Sequence, residues 1–208
     1  MGPPNNGLEV AYHSASINDK ALGHGEPIRV KEGTRVMFRL LNASATDTVT
    51  LALPGHQFTV VTMDGNPVPN PRPVTVLELG VAERIDALVE MTTPGVWIVG
   101  SSDSATRSKG LGVVVEYAGR NGSPVWSDPP KSTWDYTVFG RPATDAEPDS
   151  RFDLTFEKIP GERVRINRWT INGKSFPDVE PLRVHEGRRY RLAFRNNSGD
   201  EHRSSAPA

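Results

Sequence analysis

One stretch of the sequence decides the fold: residues 17–44 read INDKALGHGEPIRVKEGTRVMFRLLNAS. A second stretch, residues 171–198, reads INGKSFPDVEPLRVHEGRRYRLAFRNNS and aligns with the first at a constant offset of 154, without a gap. Twelve of the 28 aligned positions are identical, which is more than shared composition explains. The chain therefore begins the same kind of domain twice.

Each copy of this repeat carries the pattern of a β-hairpin. A proline leads into a strand, a Glu-Gly pair marks a turn, and a second strand alternates apolar and charged side chains. In the first copy Val36, Phe38 and Leu40 share one face, and arginines occupy the other, which is the period of a half-buried antiparallel strand. Gly33 supplies the backbone freedom that the turn needs. The repeat predicts two β domains related by duplication.

Further short apolar or alternating segments follow the first copy of the repeat, and turn signals separate them. Pro-Gly and Asp-Gly-Asn-Pro runs punctuate this region, and residues 101–109 are predicted to form a loop. Strands that recur every 8 to 12 residues or so, without sustained helical periodicity, predict an all-β Greek-key sandwich. Outside the repeat the predicted strands are 9–17, 48–53, 58–63, 74–79, 84–91, 96–100 and 111–117.

The chain is predicted to divide into three parts. Residues 8–118 form one complete domain, residues 119–150 a Pro-rich linker, and residues 151–208 the start of a second domain that stops early. A sandwich that stops after its first strands has open strand edges and an uncovered apolar face. We therefore expect the chain to form a homo-oligomer through its exposed strand edges.

The predicted linker is rich in aromatic side chains as well as in proline. Such side chains are costly to leave in water, so we expect this segment to lie along a domain surface. A platform for a sugar or a phenol is the alternative interpretation. The aromatic residues are Trp126, Trp134, Tyr136 and Phe139.

Composition excludes several classes of function. The 24 Lys and Arg residues balance 25 Asp and Glu residues, and they are scattered, so neither a nucleic-acid nor an anionic-membrane partner is expected. No segment reaches the roughly 20 apolar residues that span a bilayer, and the N-terminus lacks the pattern of a signal peptide, so we expect a soluble chain. Because the chain has no cysteine, it offers neither a disulfide nor a thiolate.

Long runs of the sequence resemble a known family, the bacterial three-domain multicopper oxidases, which are laccase-like enzymes. Three runs are similar to the second cupredoxin domain of that family: GHGEPIRVKEGTRVMFRLLNAS, LALPGHQFTVVTMDGNPVPNP and VLELGVAERIDALVEMTTPGVWIVG. A fourth run of this chain is similar to the start of the third domain of that family: NRWTINGKSFPDVEPLRVHEGRRYRLAFRNNSGDEH. The resemblance covers residues 10–202 and implies one complete cupredoxin-like Greek-key β-sandwich plus a partial second one. The family is typically periplasmic or secreted, and the compartment of this chain stays open.

The resemblance also implies a function, which is the oxidation of phenolic substrates coupled to the reduction of dioxygen at copper. In the family, Asp-Glu-His of the third domain leads into a His-rich stretch of copper ligands, whereas here residues 200–202 lead into Arg-Ser-Ser. His202 matches the first type 1 copper ligand and is the candidate metal residue of this chain. A solvated histidine is the alternative interpretation of this residue.

The remaining copper chemistry has no matching residues in this sequence. A blue-copper site needs a Cys thiolate and two histidines, and the chain has no cysteine. The trinuclear cluster of the family needs paired His-X-His segments, and no two of the five histidines are spaced in that way. We therefore expect a truncated laccase-like fragment with no cofactor, no catalytic residues of its own and no oxidase activity; whether the chain is an enzyme stays open.

Two functions of other classes also stay open. One is a carboxylate-based, glycosidase-like hydrolase on the copper-free scaffold, which needs two carboxyl groups about 5–10 Å apart. The other is a non-enzymatic, self-associating interaction module. Candidate carboxylates for the hydrolase are Asp86, Glu90, Asp103, Glu116, Asp153 and Glu157.

Two further features are interpreted as structural. His56 is expected to be a hydrogen-bonded structural residue, and the Asn-X-Ser triplets are interpreted as turns.

Overall fold

A computed structural model describes residues 12–141, 146–161 and 166–199. Residues 12–141 belong to one compact unit, here the first unit, and the described residues from 146 to 199 belong to another, the second unit. Strands and turns dominate both, and within the described ranges the helical segments are the five-residue helix Ser104–Ser108 and the 3-10 turn Tyr136–Phe139. The prediction of an all-β fold is confirmed.

Two sheets form the first unit. One sheet has five strands in the order β1-β9-β8-β3-β6, and the other has four strands in the order β2-β7-β4-β5. In chain order the strands are β1 (Ile28–Val30), β2 (Arg35–Leu41), β3 (Val49–Ala52), β4 (Phe58–Met63), β5 (Asn66–Val74), β6 (Val76–Leu79), β7 (Arg84–Glu90), β8 (Val96–Ser101) and β9 (Gly112–Tyr117).

The core of the first unit draws side chains from both sheets, as a β-sandwich requires. Phe38 on β2 meets Phe58 on β4 edge to face, with ring centroids 5.9 Å apart. Leu77 on β6 and Val115 on β9 enter the same buried cluster from the other sheet. Burying each such side chain stabilises the fold by roughly 1.5–3 kcal/mol, so this shared core is what holds the two sheets together.

The prediction that each copy of the repeat forms a hairpin is wrong for the first copy. Strand β1 pairs in parallel with β9 in the five-stranded sheet, whereas β2 pairs antiparallel with β7 in the four-stranded sheet. Gly33, with φ of 76°, lies at the corner between them, and its N–H donates to the carbonyl oxygen of Met91 at 2.8 Å. The alternation in the sequence reports which side chains face the core. It carries no information about which strand lies alongside.

Strand β5 begins within the Asp-Gly-Asn-Pro run, whose sequence predicts a turn. Its sequence, NPVPNPRPV, has a proline at every second position, and it lies at the edge of its sheet, where β4 is its one neighbour among the described strands. On an edge strand only alternate N–H groups meet the neighbouring strand, so prolines of one parity leave the other set intact. The same prolines prevent further pairing at this edge.

The segment predicted as a linker packs on the first unit. Phe139 is buried in the core, and Trp134 and Val138 contact the core cluster. The guanidinium of Arg107 lies 3.9 Å from the ring centroid of Trp126. The expectation that these aromatic residues lie against a domain is therefore confirmed for Trp134 and Phe139. The boundaries 8–118, 119–150 and 151–208 stay predictions.

In the described part of the second unit, three strands form a sheet in the order β11-β10-β12. Strand β10 (Ser150–Ile159) pairs antiparallel with β11 (Arg168–Ile171) and in parallel with β12 (Tyr190–Asn196). The parallel register places Phe152 beside Leu192 and Leu154 beside Phe194. Because side chains alternate between faces, this register gathers apolar side chains on one face of the sheet.

The two copies of the repeat share their turns. An Ile–Lys bridge closes a two-residue turn in each copy, the glycine of Glu-Gly has φ of 76° in both, and each Asn-X-Ser triplet forms a turn in which the asparagine Oδ1 accepts from the serine N–H. The interpretation of these two triplets as turns is confirmed. The matched pairs are Ile17–Lys20 with Ile171–Lys174, Gly33 with Gly187, and 42–44 with 196–198.

Within the described ranges, the helices of this structure are too short and too polar to cross a membrane.

Candidate functional site

A buried polar network surrounds His56, which lies in the turn between β3 and β4 and is only 7% exposed. Its Nδ1 lies 2.9 Å from the carbonyl oxygen of Pro54, and its Nε2 lies 2.5 Å from the hydroxyl of Tyr117. A carbonyl oxygen only accepts, so Nδ1 carries the proton and donates. In the neutral ring Nε2 then accepts from the tyrosine O–H. Both ring nitrogens are therefore occupied.

Thr93 extends this network to the neighbouring elements. Its N–H donates to the Tyr117 hydroxyl at 3.3 Å, and its own hydroxyl donates to the carbonyl oxygen of Gly55 at 2.9 Å. Its carbonyl oxygen accepts from Nε1 of Trp97 at 2.8 Å. The network thus ties the 54–56 turn to β8 and β9 through hydrogen bonds that are buried at His56 and partly exposed at Thr93.

Burial sets the charge state of this network. It lowers the pKa of His56, and the hydrogen bond to Pro54 offsets that change only in part. Burial also raises the pKa of the Tyr117 hydroxyl. Both shifts favour the neutral forms, which are the forms that the hydrogen bonds require. The prediction that His56 is a hydrogen-bonded structural residue is confirmed.

A cleft of about 520 Å³ opens beside this network in the first unit. Threonines and prolines make up much of its wall, and two carboxylates, Glu90 and Asp128, reach it. Glu90 forms an ion pair with Arg35 at 3.2 Å, and Asp128 accepts from Nε1 of Trp126 at 2.8 Å. Both carboxylates are therefore already engaged by neighbouring side chains.

The structure distributes the six candidate carboxylates over several elements. Asp86 and Glu90 are on β7, and Glu116 is on β9 in the opposite sheet, 3.8 Å from Nε of Arg29. Asp103 caps the helix Ser104–Ser108 by accepting from the N–H of Thr106. The remaining two, Asp153 and Glu157, are on β10 of the second unit. Asp103 and Asp153 therefore both have structural partners. The Asp153 carboxylate forms an ion pair with the Arg151 guanidinium at 2.6 Å.

Four described carboxylates have clearly shifted pKa values, and all four are lowered. Hydrogen bonds from Thr106 lower the pKa of Asp103, and those from Thr137 lower the pKa of Asp135. The backbone N–H of Arg189 and the side chain of Arg188 lower the pKa of Asp149. The ammonium of Lys174 lowers the pKa of Glu180. A general acid needs a raised pKa, so these four carboxylates are structural partners.

The donor set of the described residues does not fit a copper centre. The whole chain has no cysteine, and type 1 copper needs a thiolate. Among residues 12–141, 146–161 and 166–199 no three His, Cys, Asp or Glu side chains converge into a possible metal site. The ring nitrogens of His56 are occupied, and His202, the candidate ligand from the sequence, lies outside the described residues.

Comparison with known proteins decides the family. The family model of the multicopper oxidases matches residues 6–116, which is more than half of the 208 residues. The chain belongs to the multicopper oxidase family. The resemblance inferred from its sequence runs is thereby confirmed.

Two curated relatives agree with this assignment. Multicopper oxidase MmcO of Mycobacterium tuberculosis is 28% identical over 197 residues, which cover 92% of this chain and 38% of that protein. Laccase-4 of Thanatephorus cucumeris is 36% identical over 99 residues, which cover 44% of this chain and 18% of that protein. The chain therefore spans less than two fifths of the length of either relative.

Two solved structures share the fold. A laccase from Botrytis aclada superposes with a TM-score of 0.54 at 19% identity and covers 71% of this chain and 29% of its own. A multi-copper oxidase from Pseudomonas thermotolerans gives a TM-score of 0.50 at 24% identity and covers 82% of this chain and 39% of its own. At these identities the likeness concerns the fold alone, and it confirms the cupredoxin-like β-sandwich.

Proposed function

We propose that this chain is a copper-free part of a laccase-like multicopper oxidase, which folds as a scaffold and does not oxidise phenols by itself. The observation that carries the proposal is the missing thiolate in a family whose type 1 copper depends on one. In this proposal 8–118 corresponds to the copper-free second cupredoxin domain and 151–208 to the opening of the third.

The first unit supports the role of a scaffold. Structural hydrogen bonds occupy both ring nitrogens of His56 and the hydroxyl of Tyr117. No atom of that network is therefore free to coordinate a metal. Its sandwich core is continuous between the sheets, and Phe139 from beyond β9 joins it. A rigid body of this kind is suited to hold neighbouring copper-bearing parts of an oxidase at a fixed distance.

Copper loading of the purified 208-residue chain tests the proposal. We expect less than about 0.1 copper per chain after desalting, and no oxidation of a phenolic dye above the rate of free copper at the same concentration. A complete laccase serves as the positive control. Tightly held copper near one per chain, together with dye oxidation that a chelator abolishes, would contradict the proposal.

Matched histidine variants locate any copper that is retained. If His202 binds copper as the sequence resemblance implies, His202→Ala loses the metal and His24→Ala keeps it. If both variants retain copper equally, the metal is held elsewhere. In that case the assignment of His202 as the candidate ligand is wrong as well.

A carboxylate-based hydrolase is the weaker candidate. The shifted pKa values of carboxylates in this structure are lowered, and both carboxylates in the cleft already have partners. No observation on the described residues favours this function over the scaffold.

A further inference from the structure

Three Asn-Gly or Asp-Gly pairs lie in the described part of the chain, at 64–65, 121–122 and 172–173. In such a pair the glycine nitrogen can attack the side-chain carbonyl carbon of the residue before it, because glycine has no Cβ that obstructs the approach. The attack requires that the side chain be free to take up the reactive geometry. The three pairs differ in how firmly the first side chain is held.

The side chain of Asn172 is held at both ends of its amide. Its Oδ1 accepts from the N–H of Thr155 at 2.8 Å, and its Nδ2 donates to the carbonyl oxygen of Asp153 at 3.0 Å. Attack by the nitrogen of Gly173 would make the amide carbon tetrahedral and expel Nδ2. Because both hydrogen bonds favour the planar amide where it lies, the reaction must break the one and distort the other.

The side chain of Asp64 is held in a similar way. Its Oδ1 accepts from the N–H of Arg84 at 3.0 Å, and its own N–H donates to the carbonyl oxygen of Arg84 at 2.8 Å. A carboxylate is in addition a poorer electrophile than an amide. The pair Asp64-Gly65 is therefore also protected from the attack.

The side chain of Asn121 has no such restraint. It is exposed, and it forms no hydrogen bond with any of the residues that the structure describes. The loop is anchored before it, where the N–H of Arg120 donates to the carbonyl oxygen of Tyr117, and after it, where the N–H of Val125 donates to that of Val96, both at 2.9 Å. Asn121 lies between the two anchors and can rotate freely.

Gly122 is equally open to water. A Cβ built on this glycine would meet no heavy atom of the described residues within 4 Å. Its φ of 135° is one that other residues rarely adopt, so the loop conformation itself requires glycine at this position. The nucleophilic nitrogen and the amide that it attacks are thus both accessible.

We propose that Asn121 is a site of spontaneous modification, at which water converts the asparagine into aspartate and isoaspartate. The nitrogen of Gly122 forms a bond to Cγ of Asn121, and the amide leaves as ammonia together with the proton of that nitrogen. One water molecule then opens the resulting succinimide ring at either of its two carbonyl groups. The sum is one water consumed and one ammonia released, and no oxidant or cofactor takes part.

The product differs from the parent chain in charge. An amide is neutral and the new carboxylate is negative, so the formal net charge changes from −1 to −2. The change lies in a loop outside the sheets, so we expect both sheets of the first unit to tolerate it. The proposal rests on the geometry of the three pairs and is independent of the copper-free function proposed above.

Peptide mapping of the aged chain tests the proposal. The 208-residue chain is kept for several days in mildly alkaline buffer, once folded and once in guanidinium chloride, and is then cut after lysine at mildly acidic pH. Asn121 is the one asparagine of peptide 110–131, which has no glutamine, so any conversion of amide to acid there belongs to this residue. Asn172 falls in peptide 159–174 and is the matched control, because it also precedes glycine.

We expect Asn121 to convert at least tenfold faster than Asn172 in the folded chain, because the attack at Asn172 must first overcome two hydrogen bonds. In guanidinium chloride the fold no longer holds Asn172, so the two rates should agree within about threefold. Electron-transfer fragmentation should show isoaspartate as well as aspartate at Asn121, since the ring opens at either carbonyl. Circular dichroism before and after the incubation verifies that the folded sample stays folded.

Three results would overturn the proposal. The first is a folded chain whose Asn121 stays an amide while the same residue converts in guanidinium chloride. The second is an Asn172 that converts as fast as Asn121 in the folded chain. The third is a tenfold difference that persists in guanidinium chloride, because the neighbouring sequence and not the fold would then select the site.

Discussion

The two copies of the repeat differ in burial and in secondary structure. Val30 and Val184 occupy equivalent positions of the repeat, each in an Arg-Val pair shortly before Glu-Gly, yet Val30 is 6% exposed and Val184 is 62% exposed. Val30 belongs to β1, which pairs with β9, whereas residues 182–184 form no strand in the described structure. Local sequence therefore sets the turns in both copies, and a partner sheet decides whether the flanking residues form a buried strand.

Truncating the aligned core positions should give the largest difference between the copies. Phe38→Ala removes a ring that packs on Phe58 in a closed core, and we expect it to cost about 3–5 kcal/mol of the free energy of unfolding. Leu192→Ala acts on a half-exposed side chain and should cost less than about 1.5 kcal/mol. Urea unfolding followed by circular dichroism measures both. Equal losses would mean that the second copy has a core that the structure does not show.

The aligned asparagines should differ by a smaller amount. The Asn42 amide is buried and donates to the carbonyl oxygens of Asp47 and Leu79, at 2.7 and 3.0 Å. Asn42→Ala leaves these two acceptors without their donor and should cost about 2–3 kcal/mol. Asn196→Ala, at an exposed turn, should cost less than about 1 kcal/mol. The same urea titrations test this pair, and a larger loss at Asn196 would reverse the comparison.

The pH dependence of stability sharpens the comparison further. Burial holds the pKa of His56 below its ordinary value, so the unfolded chain binds a proton more readily than the folded first unit. The stabilisation is fully present above pH about 6.5. It is lost as the pH falls from there toward the folded pKa, at roughly 1.4 kcal/mol for each pH unit between the two pKa values.

Histidine variants isolate this contribution. We expect the slope of unfolding free energy against pH between about 6.5 and 5 to fall in His56→Gln, because the titrating ring is gone. His185→Gln, at an exposed position of the second unit, should keep the parental slope. Thermal melts at several pH values provide the measurement. An unchanged slope in His56→Gln would show that the buried network does not govern the acid side of the stability curve.

Much of the fold was predictable from the sequence, because face alternation and turn residues are local signals. β4 was predicted with the correct bounds, and β7 and β8 to within one residue. The turns of both copies follow from glycine and asparagine. Partner choice is not local, so the jump from β1 to β2 between sheets was predicted wrongly as a hairpin.

Two further elements escaped prediction for physical reasons. Prolines usually exclude a strand, and only the edge position of β5 makes its alternating prolines compatible with pairing. The helix Ser104–Ser108 is too short to show a helical period, and its one sequence signal is the capping residue Asp103.

The candidate site was predictable only in part. The missing thiolate could be read directly from the composition, and the structural role of His56 followed from its place between two strands. Its hydroxyl partner, Tyr117, is 61 residues away along the chain and gives no local signal. Only the packing of β9 against the 54–56 turn brings the two side chains together.

Hydrogen–deuterium exchange on the two copies of the repeat tests the central claim most directly, which is that a partner sheet decides the fate of the repeated sequence. At micromolar concentration we predict strong protection of 28–41, weak protection of 190–196 and none at 182–184. Equal protection of both copies at low concentration would contradict the account, because the second copy would then be covered without any partner.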